Sequence, residues 1–498
     1  MLENNSNFGN KSKNENIKTN ILSEPAMFIK EMSTLTGHSD PLPHNQILSQ
    51  LIKKIKPIDF REYGKIPEDT KLRDYHFQII SVEYLLDLAF QNQWGLCQKH
   101  AFIYLFNGSY WSQLEIDEIK NFLGQACERM GVNRFKARHH KFRDELLKQF
   151  ITLSNLQKPS SLTNPILVNL KNGIFEILPT STKLREVRMQ DFITYALPFS
   201  YDPAAQAPKF KEYLNKVLPD IEKQNILAEY LGYIFIPTNV LKLEKSLFLF
   251  GEGANGKSVF YDIVYNLIGP ENISSYSLKS LTDPKSYSRA ELANKLLNYA
   301  SEIGDRMEAD TFKQLASGEP IEARVIYQKP FIMTHYAKLL FNCNNMPRIA
   351  EHSKAINRRI IIIHFDVTLT ESEQDKQLAQ KIIENELSGI FNWVLQGLNR
   401  LMNQKKFSEC ESAQLSLVEY EKQSDSIALF IEDRKLIQSP SNYILIKDLY
   451  LDYRTFCNDD GYKPVHKINF IKRLKGINIL IEKRNIGNVA YLSKGDNM

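Results

Sequence analysis

The sequence contains few cysteines and no long apolar run. Its 498 residues include five cysteines, none of them spaced as a metal-ligand pair: Cys97, Cys127, Cys343, Cys410 and Cys457. This distribution excludes a disulfide framework and a cysteine zinc site, and it is typical of a reducing compartment. No apolar run approaches the ~18 residues of a membrane-spanning helix, and no apolar segment follows the charges near the amino terminus. The sequence therefore predicts a soluble, cytoplasmic protein with no membrane contact.

The charge balance is too weak to identify a partner. The net charge is +5 and 24% of the residues are charged, so composition alone does not indicate a nucleic acid. Apolar material is plentiful, because 43% of the residues are hydrophobic and 28 Phe and 23 Tyr are present. These residues can fill large cores, which excludes wholesale disorder, and the length allows roughly two to four domains.

Composition and hydrophobic periodicity divide the chain into four parts. The amino-terminal residues are rich in Asn, Lys and Ser, which is typical of disorder, and later segments alternate between helical and strand patterns. The predicted parts are a disordered tail and connector arm (1–74), a mostly helical α+β domain (75–220), an α/β core (221–423) and a helix-and-hairpin domain (424–498). Within the second part, Asn172 and Gly173 predict the turn of a hairpin.

Four apolar runs predict the buried strands of the α/β core. They are SLFLF at 246–250, KLLNYA at 295–300, KLLFN at 338–342 and RIIIIHF at 359–365. Continuous apolar runs of this length are typical of strands covered on both faces, and helical segments between them favour a parallel sheet.

The first of these strands runs into a glycine-rich loop. Residues 251–258 read GEGANGKS and match G-x-x-x-x-G-K-[ST], with an apolar strand before the loop and a helical pattern after it. Such a loop turns its N–H groups inward around an anion, and the helix amino terminus adds partial positive charge. We expect Lys257 to reach the β- and γ-phosphates of ATP and Ser258 to bind Mg²⁺. The predicted nucleotide contacts are Gly251, Glu252, Gly253, Ala254, Asn255, Gly256, Lys257, Ser258 and Val259.

Polar residues follow two other predicted strands. Glu302 comes directly after KLLNYA and is predicted to orient the attacking water and to hold Mg²⁺. Asn344 and Asn345 follow KLLFN, where an amide can bond the γ-phosphate or the water. An Asn-rich turn before Pro347 is the alternative interpretation of this last segment.

Two arginines precede the fourth strand. Arg358 and Arg359 are permanently charged and offer a planar fork of donors to phosphate. One of them is predicted to reach the nucleotide of a neighbouring subunit, and the sequence does not distinguish the two. A surface ion pair beside a strand is the alternative.

These elements, in this order, resemble superfamily 3 helicases of the phage, plasmid and poxvirus primase-helicase family. Further similar segments are NLKNGIFEI at 169–177, LAEYLGYIF at 227–235, SGEPIEAR at 317–324 and NNMP at 344–347. The resemblance implies an α/β fold with a P-loop AAA+-like ATPase core, preceded by a mostly helical α+β domain and followed by a winged-helix domain. In the family's N-x-x-P pattern the phosphate-sensing residue is the first Asn, which here is Asn344.

The resemblance also implies DNA contacts. The family's extra motif forms a hairpin in the channel of a ring, which points to Lys313, Arg324, Tyr327 and Lys329 as contacts to single-stranded DNA. In the carboxy-terminal part, three helical segments and a hairpin around Ile486, Gly487 and Asn488 match a winged helix. Its third helix carries Lys472 and Arg473, which suit duplex DNA at a fork or origin. A protein-docking module is the alternative for this part.

A second basic run precedes the core. Residues 133–143, NRFKARHHKFR, interleave five Lys and Arg with two Phe and suit a nucleic-acid face, although a solvated helix face is an equal alternative.

The resemblance thus implies a Mg²⁺-dependent ATPase and DNA helicase, a ring and most simply a hexamer, serving replication of a phage, plasmid or integrated element in a bacterial host. The acids before residue 80 are isolated, so priming is expected to need a separate chain. The alternatives are a P-loop ATPase that remodels protein or packages DNA, and an origin-binding protein that uses ATP to assemble.

Overall fold

The computed structural model describes residues 41–99, 102–154, 165–301, 303–304, 307–326, 329–347, 354–462 and 464–494. The predicted tail over 1–40, Glu302 and Tyr327 lie outside the described residues.

The amino-terminal part combines helices with a small sheet. Its helices are His44–Lys54, Phe60–Tyr63, Asp74–Gln91, Ile116–Met130, Arg134–Arg138 and His140–Leu153. Three antiparallel strands, which the helical interpretation of this region missed, are Gly95–Lys99, Phe102–Phe106 and Trp111–Leu114. Residues 47–60, assigned from sequence to the connector arm, contribute side chains to the same core as the later helices: Ile47, Leu51, Ile55 and Phe60 are all buried there.

A second antiparallel sheet precedes the α/β core. Its strands are Ile166–Leu170, Gly173–Ile177 and Thr182–Arg185. Leu170 pairs with Gly173, so the predicted hairpin is present and its two turn residues are Lys171 and Asn172. This sheet shares one hydrophobic cluster with helices Pro208–Val217 and Ile221–Tyr233 and with the strand Ser246–Phe250.

A five-stranded parallel sheet forms the α/β core. Its strands, from one edge to the other, are Ile360–His364, Ser246–Phe250, Lys338–Cys343, Leu297–Ala300 and Ile273–Ser274. The four apolar runs are therefore confirmed as strands of one sheet, and the chain has a mixed α/β fold. Their side chains are buried on both faces because helices cover the sheet from either side.

The remaining elements of the core lie around this sheet. Helices here are Lys257–Ile268, Leu278–Thr282, Ala309–Ser317, Lys354–Asn357, Leu378–Gln404 and Glu411–Ser424. Two short strands, Ile321–Ala323 and Phe331–Met333, pair antiparallel and form a hairpin before the strand Lys338–Cys343.

The carboxy-terminal part has its own hydrophobic cluster. It contains helices Ser426–Asp433, Ile446–Asp459 and Lys467–Gly476 and strands Leu436–Gln438, Ile444–Leu445, Ile481–Arg484, Gly487–Ala490 and Leu492–Lys494. Arg484 pairs with Gly487, so the hairpin turns at Asn485 and Ile486, earlier than the sequence predicted. Across the described residues, no helix has both the length and the apolar character needed to cross a membrane.

Candidate functional site

The glycine-rich loop lies at the carboxyl edge of the parallel sheet. It connects the strand Ser246–Phe250 to the helix Lys257–Ile268. The N–H of Gly251 donates to the carbonyl of Cys343 over 3.2 Å, which ties the start of the loop to the end of the neighbouring strand. Residues that follow these two strands therefore meet at one edge of the sheet.

The conformation of the loop depends on its glycines. Gly253 and Gly256 have φ angles of +126° and +85°, and Ala254 between them has +48°. A Cβ on Gly256 would lie 2.7 Å from Cγ1 of Val217, whereas nothing lies within 4 Å of a Cβ placed on Gly253. At Gly256 the loop is thus packed tightly against the helix Pro208–Val217, whereas at Gly253 it is open. The open side suits the approach of a ligand to the backbone.

Lys257 is a buried cation without a carboxylate partner in the described residues. Its side chain is 7% exposed, and its Nζ donates to Gly251 O at 2.6 Å and to Asn255 Oδ1 at 2.9 Å. Burial lowers the pKa of Lys257, while burial raises the pKa of the neighbouring Cys343 thiol to about 12, so that the thiol supplies no counter-charge. A desolvated cation held only by neutral oxygens is suited to an anionic ligand.

Two residues distant in sequence hold the loop by hydrogen bonds to its carbonyls. The Tyr213 hydroxyl donates to Gly256 O at 2.9 Å, and the N–H of Leu369 donates to Ala254 O at 2.7 Å. Sequence analysis missed these contacts, because Tyr213 and Leu369 lie in segments with no local motif. They fix the positions of two carbonyls of the loop.

The other predicted nucleotide contacts differ in exposure. Ser258, the second residue of the helix, is exposed, as is Glu252. Val259 is half-buried against the core. Asn255 is buried, and besides accepting from Lys257 its Nδ2 donates to Phe365 O at 3.4 Å. Asn255 therefore positions the lysine as well as shaping the loop.

The polar residues after the neighbouring strands lie at the same edge. Asn344 and Asn345 are exposed and directly follow the strand Lys338–Cys343, whose Cys343 pairs with Phe250. The strand Leu297–Ala300 ends two residues before Glu302, and its Ala300 pairs with Phe341. The placement of Glu302 itself stays a prediction.

The two adjacent arginines have opposite environments. Arg359 is 7% exposed, donates to Ser317 Oγ at 2.9 and 3.0 Å and to Ala355 O at 2.6 Å, and pairs with Glu244 at 3.0 Å. The side chain of Arg358 is 64% exposed, and its one described ion pair, to Glu244, is 3.3 Å long. Both precede the strand Ile360–His364 and so lie at the amino edge of the sheet, opposite the loop.

The predicted DNA contacts in the core surround the short hairpin. Lys329 is exposed in the connection between its strands, and Arg324 is exposed with its guanidinium 4.7 Å from the centre of the Tyr287 ring. Arg324 also donates to the Tyr287 hydroxyl at 2.8 Å. Lys313 lies on the helix before the hairpin and pairs with Asp310 at 2.7 Å.

In the carboxy-terminal part, the two predicted DNA contacts lie on the helix Lys467–Gly476. Lys472 is exposed, whereas Arg473 pairs with Asp425 and is partly buried. Lys472 is therefore more accessible to a partner than Arg473.

Comparison with solved structures finds the NrS-1 C-terminal region. Two apo structures of it match with TM-scores of 0.47 and 0.48 at 13% and 12% identity, and each comparison covers 83% of this chain and 99% of the other.

Two curated viral proteins are similar in sequence. "Putative helicase 121R" of Invertebrate iridescent virus 3 is 22% identical over 63% of this chain, and "Putative helicase 184R" of Invertebrate iridescent virus 6 is 26% identical over 62%. The matched regions make up 37% and 36% of those proteins, so the chain spans about a third of the length of these relatives.

Three family models match successive parts of the chain. Residues 82–219 match a family described as D5 N terminal like, and residues 422–489 match Poxvirus D5 protein-like. Between them, residues 249–359, which contain the loop and the arginines, match a family of unknown function, DUF5906. D5-type matches on both sides of the glycine-rich loop, together with the helicase-named relatives, support membership of the phage- and poxvirus-type superfamily 3 primase-helicase family.

Proposed function

We propose that this protein is an ATP-dependent DNA helicase that works as a ring. The observation that carries the proposal is Lys257, a buried cation with neutral partners that faces a glycine-rich loop open on its outer side. A cation in this environment is costly unless an anion joins it. The triphosphate of ATP is the anion that the loop motif is shaped to receive.

The residues around the loop fit a Mg²⁺-nucleotide. Ser258 is exposed at the start of the helix, where its hydroxyl is available as a metal ligand, and Glu302 would add a carboxylate. Mg²⁺ would neutralise charge on the β- and γ-phosphates. Asn344, exposed at the same edge, would bond the γ-phosphate or the attacking water.

The position of the arginines supports a role on a neighbouring subunit. The strand Ile360–His364 separates them from the loop edge, and its five residues span roughly 16 Å. A guanidinium at the amino edge therefore cannot reach a nucleotide bound in its own chain. Of the two, Arg358 is the proposed finger, because Arg359 is buried and already satisfied by Ser317, Ala355 and Glu244.

The short hairpin is the proposed contact to the translocating strand. Lys329 and Arg324 are exposed there, and a lysine contact to phosphate is sequence-independent, as a moving helicase requires. We propose that the carboxy-terminal part is a winged helix that binds duplex DNA through Lys472, and that residues 221–423 are the P-loop AAA+-like ATPase. The ring is proposed to be a hexamer, with priming supplied by a separate chain.

The test is unwinding of a labelled forked duplex with ATP and Mg²⁺ by the wild type and by Lys257→Ala. Strand separation by the wild type and none by the variant would support the proposal. Equal unwinding by both proteins would refute the role of Lys257.

Two alternatives from other classes give different results in the same assay. ATP turnover that single-stranded DNA does not stimulate would favour a protein-remodelling ATPase. Binding to a duplex origin without turnover or unwinding would favour an origin-binding protein that uses ATP to assemble.

A further inference from the structure

The basic run at 133–143 does not belong to the nucleotide site, and it borders a groove that is lined by both charged side chains and aromatic rings. The groove, of about 980 Å³, lies between the start of the helix Asp74–Gln91 and the helices Arg134–Arg138 and His140–Leu153. We call it the basic groove and define it by Lys71, Arg73, Tyr75, Phe135, Lys136 and Lys141.

The groove carries an excess of positive charge. Its lining includes four Lys and Arg side chains and two carboxylates, Asp74 and Glu145. Lys136 pairs with Asp74 at 2.7 Å, and Glu145 accepts from Lys148 at 2.7 Å, so both carboxylates are already neutralised. Three cations of the groove have exposed side chains: Lys71, Arg73 and Lys141. In the part of the chain that the structure describes, their side chains form no ion pair and no hydrogen bond.

Two other cations of the same run already have hydrogen-bond partners outside the groove. Arg138 forms a bidentate pair with Glu128 at 2.9 and 3.0 Å, and Arg143 donates to Asn121 Oδ1 at 2.8 Å and to Ala137 O at 3.1 Å. These contacts join the helices to one another. The run therefore divides into structural arginines and accessible groove cations, which the sequence pattern alone cannot separate.

Exposed aromatic rings accompany the cations. Phe135 is 82% exposed, which is the highest value among the large hydrophobic side chains that the structure describes, and Tyr75 is 48% exposed. The side chain of Asn133 accepts from the N–H of Phe135 at 3.0 Å, which fixes the start of the helix that presents the ring. The Arg134 guanidinium lies 6.0 Å from the centre of this ring, and stacking against a flat ligand would bury the ring further.

Rings and unpaired cations together select one kind of partner. Phosphates bind the cations, and the base faces of a single strand are free to stack, whereas duplex DNA hides those faces. We infer that the basic groove binds single-stranded DNA, with Phe135 stacking on a base and Lys71, Arg73 and Lys141 contacting phosphates. This is a second DNA site, built from residues other than those of the proposed hairpin, and it does not require ATP.

The test is fluorescence anisotropy of a labelled oligothymidylate, about 20 nucleotides long, titrated with the full chain without nucleotide. Phe135→Ala is expected to weaken binding about tenfold, because base stacking on one ring is lost. The double variant Lys71→Glu, Lys141→Glu is expected to weaken it at least about tenfold and to lower the slope of log affinity against log salt by about two.

Matched controls come from the same part of the chain. Phe90 is also exposed, at 68%, and lies on the helix Asp74–Gln91 roughly 22 Å from Tyr75. Phe90→Ala and the double variant Lys53→Glu, Lys54→Glu remove the same ring and change charge by the same amount outside the groove. Both controls should bind like the wild type, and equal losses in groove and control variants would overturn the inference.

An abasic oligonucleotide of equal length separates DNA from an acidic protein partner. It keeps the phosphates but has no bases to stack, so Phe135→Ala should not weaken its binding further. If Phe135→Ala weakens both oligonucleotides equally, the ring does not stack on bases and the groove is not a single-strand site.

Crosslinking locates the contact in the unaltered protein. Photo-crosslinking with a 4-thiothymidine oligonucleotide, followed by peptide mapping, should modify peptides containing residues 71–78 or 134–142. Crosslinks confined to other segments would overturn the inference. Because the titrations contain no ATP, an absence of helicase activity in the wild type would leave this result unaffected.

Discussion

Among the described residues, Lys257 in the nucleotide loop and three cations of the basic groove have no carboxylate partner, but their burial is opposite. Lys257 is 7% exposed and held by neutral oxygens, whereas Lys71, Arg73 and Lys141 project into solvent. A buried unpaired charge raises the free energy of the folded state, and at Lys257 the glycine-rich loop around it indicates that an anionic ligand offsets this cost. An exposed one costs little, and in the groove it is the accompanying ring of Phe135 that makes the charge informative.

Arg359 completes the comparison as a buried cation that is fully paired. Its donors go to Ser317, Ala355 and Glu244, so burial alone does not mark a ligand site. Three cations thus predict three phenotypes. Removal of Lys257 should affect activity, removal of Arg359 should affect stability, and removal of a groove lysine should affect only the binding of a partner.

The largest expected effect is that of Lys257→Ala on ATP turnover. Loss of this charge should lower the rate by at least about 10³-fold, because both phosphate binding and stabilisation of transferred charge are lost. The melting temperature should stay constant or rise, since a desolvated charge has been removed. A coupled assay of ADP release and a thermal melt check the two parts, and a destabilised variant would contradict the comparison.

Arg358→Ala is expected to lower turnover by about 10³-fold without changing stability. The physical reason is loss of a guanidinium donated to the neighbouring subunit's γ-phosphate. Lys354→Ala, which alters another exposed cation just before it, is the matched control and should be near wild type.

Mixing two inactive variants tests whether this donation is in trans. Lys257→Ala retains Arg358, and Arg358→Ala retains the loop, so mixed rings should contain some complete sites. Partial recovery of turnover on mixing is the expected outcome. No recovery, with mixed rings demonstrated by differently tagged subunits, would place the role of Arg358 elsewhere.

Arg359→Ala should mainly lower stability, by about 2–4 kcal/mol. The change leaves Ser317 and Ala355 O without their donors, although Glu244 keeps its contacts with Arg358 and Lys242. The midpoint of urea unfolding measures the loss. If this midpoint is unchanged and turnover falls as in Arg358→Ala, then Arg359 is the finger.

The parallel sheet could be predicted because its strands are buried on both faces. Such strands are continuous apolar runs, and the four runs quoted from the sequence all became neighbouring strands. The three strands between Gly95 and Leu114 were missed. Two of them, GLCQK and WSQL, mix polar and apolar residues, and the short apolar run FIYLF between them is compatible with either a strand or a buried helix. Their pairing depends on one another and on the core beneath, which local pattern does not report.

The glycine-rich loop could be predicted from sequence, whereas the different environments of the two arginines could not. The phosphate loop is recognisable because its conformation requires glycines at fixed positions, such as Gly256 with its positive φ. Nothing local distinguishes Arg358 from Arg359, because the difference comes from Ser317, which lies 42 residues away in sequence. Local backbone requirements can therefore be inferred from sequence, whereas the direction of a long side chain depends on tertiary packing.

Lys338 gives the smallest effect and extends the comparison to a cation outside the nucleotide site that has no carboxylate partner among the described residues. It begins a central strand of the parallel sheet, its Nζ lies 4.3 Å from the centre of the Tyr233 ring, and burial lowers its pKa to about 8. The unfolded chain keeps this proton up to the ordinary value of 10.5. Between these two values the unfolded state binds more protons, so the folded state gains stability as pH rises.

Lys338→Met should remove this gain. Near about pH 7 the variant is expected to have a higher free energy of unfolding than the wild type. This difference in the free energy of unfolding should shrink by at most about 3 kcal/mol by about pH 10. Urea unfolding at both pH values measures it, with Lys285→Met as an exposed control that should follow the wild type. If the free energy of unfolding changes with pH equally in the wild type and in Lys338→Met, then Lys338 remains charged in the folded state, where the Tyr233 ring stabilises the charge. In that case burial without a carboxylate would not by itself indicate a need for an anion, and the argument from Lys257 would rest on its loop alone.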